Sequence, residues 1–390
     1  MRRVRLKEIG TFYSGLSGKS KSDFSEGNAL LVTYRNIFNN PVLNPAIKDT
    51  VVVGKDEKQN EVLWGDILVT GSSETPADAG MSSVVLFTPQ EKMYLNSFCF
   101  GFRLNDMNEV LPSYIGHLLR STSIRVAISK TAFGVTRFNV NRMRFADIEI
   151  PLPPLNIQKE IVSILDSFTS LIDKMKQEVE MRKKQMEYYR EKLMAPQKNW
   201  EIKTLGEIGT FTRGNGLQKS DFRDKGFPCV HYGQIHTYYN TCIYKTKSFC
   251  EEDFAKKLQK ASYGDLLIAT TSEDVKACCK AAVWFGAGDV AYSGDSFCYS
   301  HDQDPKYMAY LFQTEMFAKQ KQKAATGAKV IRVSGESMAS FSFAFPPLVQ
   351  QRQIASILDT FETYISKLEK MIELRQKQYE YYREKLLTFE

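Results

Sequence analysis

Apolar residues recur every three or four positions between residues 157 and 193: Ile157, Ile161, Ile164, Phe168, Leu171, Met175, Val179, Met186, Tyr189 and Leu193. The same spacing returns at Ile354, Ile357, Phe361, Tyr364, Leu368, Ile372, Tyr379, Tyr382 and Leu386. Alternating steps of three and four predict two long helices with a coiled-coil seam. Two consecutive steps of four, through Leu171, Met175 and Val179 and through Tyr364, Leu368 and Ile372, predict a matching stutter in each helix. Arg182 and Arg375 interrupt both seams at the same point. A helix of roughly 40 residues is about 60 Å long, more than one small domain can bury, so each reads as a spacer. Both follow Pro-Pro-Leu, where proline ends a strand but cannot enter a helix interior.

The rest of the chain is strand-like. LLVTYRNI (30–37) and FPCVHYGQI (227–235) alternate apolar and polar residues, as half-buried strands do. GDILVT (65–70) and GDLLIAT (264–270) follow a turn glycine and read as central strands. LPSYIGHLLRS (111–121) and PKYMAYLFQTEMFAK (305–319) have helical spacing with proline near the start. The expectation is an α/β (α+β) fold with mixed or antiparallel sheets.

These elements come in pairs. EYYREKL stands at 187–193 and again at 380–386, 193 residues on. With that shift PPLNIQKEIVSILDSF (153–168) falls on PPLVQQRQIASILDTF, and LKEIGTF (6–12) matches LGEIGTF (205–211). So long a period marks a tandem domain duplication, since solenoid repeats run to about 20–50 residues. The expected order is a globular domain over 1–152, a central helix over 153–197, a second globular domain over 198–345 and a distal helix over 346–390. Matched helices with a matched break predict antiparallel packing under a pseudo-two-fold axis.

Composition narrows the class. Hydrophobic residues make up 43% and charged ones 25%, as in an ordinary globular chain. No apolar run reaches the roughly 18 residues of a membrane span, and no apolar segment follows the basic start MRRVRLKEIG, so a membrane or secretory role is not expected. Seven cysteines without CxxC fit reduced thiols and a cytoplasmic protein. The net charge of +7 sits in the globular parts. Residues 110–146 hold Arg120, Arg125, Lys130, Arg137, Arg142 and Arg144 with no acid, and 316–335 hold Lys319, Lys321, Lys323, Lys329 and Arg332 with no acid. Such stretches at equivalent places point to a polyanion, double-stranded DNA above all.

Reading DNA needs polar side chains at base edges and cations or small residues along the backbone. In the first copy the candidates are Tyr34, Arg35, Asn36, Thr70, Ser72 and Ser73. In the second they are His231, Tyr232, Gln234, Thr270, Thr271 and Ser272. Arg137, Asn139 and Arg142 join the first set, and Lys329 and Arg332 the second, from the end of each domain. Lys19, Ser20 and Lys21 in GLSGKSK, and Arg213 and Lys219 around GNGLQK, are candidates for DNA phosphates. GLSGKS fails the spacing of an ATP-binding loop. His231, His236, Cys242 and Cys250 match no zinc spacing, and no hydrolase, protease or methylation motif is present, so neither catalytic nor metal residues are assigned. Tyr188, Tyr189 and Arg190, with Tyr381, Tyr382 and Arg383, close the helices as candidate docking residues for a partner protein. The competing classes are an enzyme, against which the missing motifs argue, and a coiled-coil scaffold, against which the basic stretches argue.

The whole chain resembles the specificity subunits of type I restriction–modification systems. The resemblance rests on two unlike domains ending in DIEIPLPPLNIQKEIVSILD and FAFPPLVQQRQIASILD, followed by similar helices that close with EYYREKL. It departs from the family's pattern in lacking, before the first domain, the WEIKTL lead-in of the second. The resemblance implies two target-recognition domains, each reading half of a bipartite site. It implies helices that set the gap and dock two methylation subunits, with restriction subunits joined through them. S-adenosylmethionine, ATP and catalysis would then belong to those partners, and no cofactor to this chain. EYYREKL would recur because each helix must end beside an equivalent partner.

Overall fold

The computed structural model describes residues 2–389. The chain forms two compact units: residues up to 176 together with those from 370 on, and residues 177–369. Each long helix, Leu155–Leu193 and Leu348–Leu387, gives one half to each unit.

In the first unit Gly10–Ser14, Cys99–Leu104, Ile67–Thr70 and Ser82–Val84 form an antiparallel sheet in that order. A smaller mixed sheet sets Ala29–Val32 between antiparallel Thr50–Val51 and parallel Met93–Leu95. Arg2–Arg5 pairs with Glu149–Leu152, the strand that Pro-Pro-Leu ends. A hairpin of Ala132–Phe133 and Phe138–Val140 pairs with Ser72–Ser73.

The second unit repeats this plan. Gly209–Arg213, Ser296–His301, Leu266–Ala269 and Lys280–Trp284 form the main sheet, extended by parallel Cys242–Ile243. Phe227–Val230 lies between antiparallel Ser248–Cys250 and parallel Val290–Tyr292. Glu201–Thr204 pairs with Ser342–Phe345, and Thr271–Ser272 with Ile331–Arg332. The central strands are Ile67–Thr70 and Leu266–Ala269, fully buried as the GDIL pattern predicts. The α/β class with mixed sheets is as read from the sequence.

Within each unit the two helix halves pack antiparallel. Phe168 stacks on Tyr382 at 5.3 Å in the first, and the equivalent Phe361 on Tyr189 at 5.6 Å in the second. The seam differs from the expectation. Buried Ile161, Leu165, Ile172, Met175 and Val179, and buried Ile354, Leu358, Ile365, Leu368 and Tyr379, keep a regular heptad step. There is no stutter. Ile164, Leu171, Ile357 and Tyr364 are exposed on another face. They mimic seam residues because they stand next to Leu165, Ile172, Leu358 and Ile365, and any apolar neighbour satisfies a three-or-four step. Arg182 holds a seam position as an ion pair with Glu178 at 2.8 Å, its guanidinium over the Tyr364 ring.

Two further expectations change. The alternation over 30–37 and 227–235 is not one strand. The strands end at Val32 and Val230, and short helices Tyr34–Asn39 and Tyr232–Thr237 follow. Thr33 and His231 start them: the Asn36 side-chain oxygen accepts from the Thr33 N–H at 2.8 Å, and that of Gln234 from the His231 N–H at 3.0 Å. The helix read over 305–319 is two helices, Pro305–Leu311 and Glu315–Ala324, because the Thr314 hydroxyl caps the second by accepting from the Phe317 N–H.

Candidate nucleic-acid interface

In the first unit the start of the Tyr34–Asn39 helix meets the Ser72–Ser73 strand and the hairpin in an open groove of about 540 Å³. Tyr34, Phe38, Ser72, Ser73 and Arg137 line it, with Glu74 and Asp78 at one side. Arg137 Nε donates to Ser72 Oγ at 3.0 Å, and its guanidinium lies over the Phe98 ring at 5.0 Å. Arg142 donates to Ser14 Oγ at 2.7 Å and lies over Phe100. Asn139 stands opposite Ser72 in the sheet and is exposed, and Arg35 is exposed on its helix.

The second unit has an open groove of about 640 Å³ that shares only the helix start with the first; the Thr271–Ser272 strand and its hairpin do not line it. Arg213, the glycine-rich loop, Lys219, His231, Tyr232 and Asp295 line it. Tyr232 packs on the His231 ring at 4.5 Å. Burial, then the nearby Lys219 charge, hold the His231 pKa below its usual range, against a weaker opposing pull from Asp295. Neutral His231 accepts the Gly233 N–H at Nδ1. Thr271 stands opposite Arg332 and Ser272 opposite Ile331, while Lys329 is exposed in the hairpin turn.

Several sequence candidates hold the frame. Thr70 is fully buried, and its hydroxyl accepts from the Met81 N–H. Thr270 and Thr271 are buried and donate to the Asp295 carbonyl and carboxylate. Asn36 and Gln234 serve the helix starts, and Gln234 also donates to Ser248. Ser20 donates to Asp23. Lys19 pairs with Glu57, whose pKa falls to about 2 through hydrogen bonds from Lys19, Gln59 and the Gly54 N–H, so this lysine is not a free cation. Lys21 is exposed, and Arg213 donates to the Gly294 carbonyl.

The acid-free stretches are not uniform cationic faces. Arg120 is turned inward to the carbonyls of Ser82 and Ile37, and burial pushes its pKa down to about 10. Arg125 holds the carbonyls of Ala77, Ala79 and Gly80. Lys321 is buried on the carbonyls of Lys276 and Cys278. What composition missed is apolar: Phe98, Phe133, Val135 and Met143 are exposed beside Arg137 and Arg142. The signal was present in FGVTRFN, where two large apolar residues sit in a turn.

The repeated heptapeptide has an internal task. The Glu384 carboxylate accepts from the Thr122 N–H at the start of Thr122–Ser129, and Glu191 does the same for Glu315 N–H at the start of Glu315–Ala324. A carboxylate there satisfies free amides and complements the helix dipole. Tyr189 and Tyr382 are stacked in the seams. Arg383 pairs with Glu384, and Arg190 lies near Glu191 and Gln313. Tyr188 and Tyr381 point outward. With Ile164, Leu171 and Leu374, Tyr381 gives the first unit an exposed apolar set, matched in the second by Ile357, Tyr364, Met181 and Tyr188.

Among the described residues no group of three or more His, Cys, Asp or Glu side chains is placed to hold a metal ion, and no helix is long and apolar enough to cross a membrane. The model of the type I restriction modification DNA specificity domain matches residues 1–181 and 197–376. A putative type I restriction enzyme specificity subunit of Haemophilus influenzae is 30% identical over 272 residues, covering 66% of this chain and 68% of its own length. The specificity subunit of an Escherichia coli type I restriction enzyme is 28% identical over 274 residues, 62% of this chain and 63% of its own length. The crystal structure of a type I S subunit from M. genitalium matches with a TM-score of 0.56 at 15% identity over 100% of this chain and 96% of that one. A chain from a structural study of type I assembly and conformational transition matches with a TM-score of 0.61 at 14% identity, over 99% and 97% of the two chains.

Proposed function

This chain belongs to the type I restriction–modification DNA specificity family, and from that membership we propose that each of its units reads one half of a split duplex DNA site through the major groove. The observation that carries the reading is a repeated arrangement of helix, strand and hairpin. In both units a short helix lies beside a two-residue strand that pairs with a hairpin, on one scaffold with different side chains. Equivalent geometry with unlike chemistry is what two readers of different half-sites require.

The exposed apolar set on each helix pair supports docking of one methylation subunit per unit, with Tyr188 and Tyr381 as outward anchors. Restriction subunits would join through those partners. S-adenosylmethionine and ATP would bind there, and methyl transfer and cleavage would take place there, in the cytoplasm, with this chain supplying the target. Binding of the assembled complex to duplex DNA across a salt series tests the reading. Arg137→Glu with Arg142→Glu should lower affinity and reduce the slope of log K against log[salt] by about one per lost phosphate contact. An unchanged slope would place these arginines away from DNA.

A further inference from the structure

The hairpins paired with Ser72–Ser73 and Thr271–Ser272 turn at equivalent glycines, Gly134 (φ +131°) and Gly327 (φ +99°). A Cβ at either would meet a backbone carbonyl oxygen, that of Arg137 at 2.0 Å or Val330 at 2.1 Å. The backbone of the turn is thus held the same way in both units, and only side chains distinguish them.

Strand register shows which side chains act together. In the first unit Phe133 pairs with Asn139, and Asn139 with Ser72, so the three stand in one row across the sheet. Directly paired residues project from the same face, as do residues two apart along a strand. Arg137 therefore shares that face, and its bond to Ser72 Oγ agrees. In the second unit the same row is Thr326, Arg332 and Thr271, with Val330 in the place of Arg137. Phe133 is 57% exposed and Val135, at the tip, 90% exposed. Neither packs in the core; the stretch 110–146 that carries them holds no acid, and the acids nearest in the groove, Glu74 and Asp78, stand at one side of it. An uncovered aromatic beside Arg137, whose partners are the Ser72 hydroxyl and the Phe98 ring, suits a ligand that offers anionic and apolar surface side by side. Duplex DNA does so in the major groove, where thymine alone presents a methyl group.

We infer that this cross-strand row is the specificity-determining element of each unit, and that Phe133 in the first unit selects thymine through its C5 methyl. The inference rests on the DNA reading above and adds which side chains choose the base. Arg332, at the position of Asn139, gives the second unit a fork suited to guanine where the first carries an amide suited to adenine.

The test offers a randomised duplex library to the full chain assembled with its methylation subunits. The wild type should select a thymine at one position of the first half-site. Replacing that thymine by deoxyuridine, which lacks only the methyl, should weaken binding about fourfold, the worth of one buried methyl group. Phe133→Ser, which leaves no methyl or ring to meet the thymine methyl, should bind the two duplexes equally and keep the second half-site unchanged, which also reports an intact fold. A first half-site indifferent to deoxyuridine at every thymine, or a Phe133→Ser variant with the wild-type preference, overturns the inference and leaves the DNA reading standing. A wild-type complex that selects no sequence overturns both.

Discussion

The two units agree where the chain holds itself together and differ at the short-helix starts and the hairpins. Gln158 and Gln351, both buried, do one job twice. Each side-chain oxygen accepts from a backbone N–H (Leu111 or Asp304) at the start of a domain helix, and each amide donates to the Pro153 or Pro346 carbonyl. Phe168 and Phe361, Glu191 and Glu384, and Leu165 and Leu358 repeat in the same way. Against this, Thr33 is replaced by His231, Phe133 by Thr326, Asn139 by Arg332 and Arg137 by Val330. A seam residue has a partner that must match it, so both copies keep it. Phe133, Asn139, Thr326, Val330 and Arg332 are exposed, with no facing helix to match, and are free to diverge.

The strongest break of this equivalence removes half the chain. In the first unit the seam of Ile161, Leu165, Phe168 and Ile172 is closed by Ile372, Tyr379, Tyr382 and Leu386 from the distal helix. Their counterparts in the first long helix are Val179, Met186, Tyr189 and Leu193. A fragment of residues 1–197 should therefore form a homodimer, each copy lending its helix end to the other in a closed two-fold arrangement. His117 loses one partner in the exchange, since Tyr379, whose hydroxyl lies 3.1 Å from its Nδ1, becomes Met186. Light scattering should show the dimer. A folded monomer would mean that the two helix ends are not interchangeable.

Next in size is a matched pair of core truncations. Leu165→Ala and Leu358→Ala each empty a fully buried seam position. Each should cost about 3 kcal/mol, transfer and cavity terms together. Local stability by hydrogen exchange should fall by similar amounts in the two units, and a marked inequality would show that equivalence of sequence hides unequal packing.

Much of this frame was legible in the sequence, because duplication doubles every signal. Helix extents, Pro-Pro-Leu boundaries and central GDIL strands each appear twice. What escaped were features decided by tertiary partners. Leu165 and Ile164 are equally apolar, and only the position of the facing helix buries one and exposes the other. Arg120 and Arg137 read alike in composition, yet one binds carbonyls inside and the other reaches the groove. Asn36 and Gln234 have the chemistry of base readers but sit three residues after a helix start, where their side chains cap.

A smaller effect comes from one backbone position. Gly80 and Cys279 are equivalent residues ahead of Ser82–Val84 and Lys280–Trp284, and both have left-handed φ, +68° and +61°. Cys279 is the sole non-glycine residue with positive φ among the described residues. A side chain in that region costs about 1–2 kcal/mol. Cys279 offsets this by burying its thiol near Met338. Gly80 has no such room, since a Cβ there would meet Ile128 Cγ2 at 2.6 Å. Gly80→Cys should thus destabilise the first unit by about 2 kcal/mol, while Cys279→Gly should change stability by less than about 1 kcal/mol as strain relief and lost burial oppose. Denaturation of the two variants would show the asymmetry, and equal losses would remove it.

The smallest expected difference is one of pH. Thr33 and His231 begin equivalent helices, but only His231 titrates. Its pKa in the folded chain lies below the ordinary 6.5, chiefly through burial and then through Lys219. Between that lowered value and 6.5 the unfolded chain holds a proton that the folded chain does not, so stability rises with pH across this window. The contribution is complete above 6.5 and is lost as pH falls through the folded value. Protonation also converts Nδ1 from acceptor to donor and ends its bond with the Gly233 N–H. The loss should be a fraction of the roughly 1 kcal/mol worth of a helix cap. His301, also lowered by burial, acts in the same direction. It is present in both wild type and His231→Thr, so it cancels in their difference. Thermal unfolding at pH 7.5 and 5.5 should show wild type losing more stability than His231→Thr, which borrows the first unit's residue. A His231 ring that titrates in NMR at or above 6.5, or equal losses in the two proteins, would mean that the second unit's helix start is no more sensitive to protons than the first's.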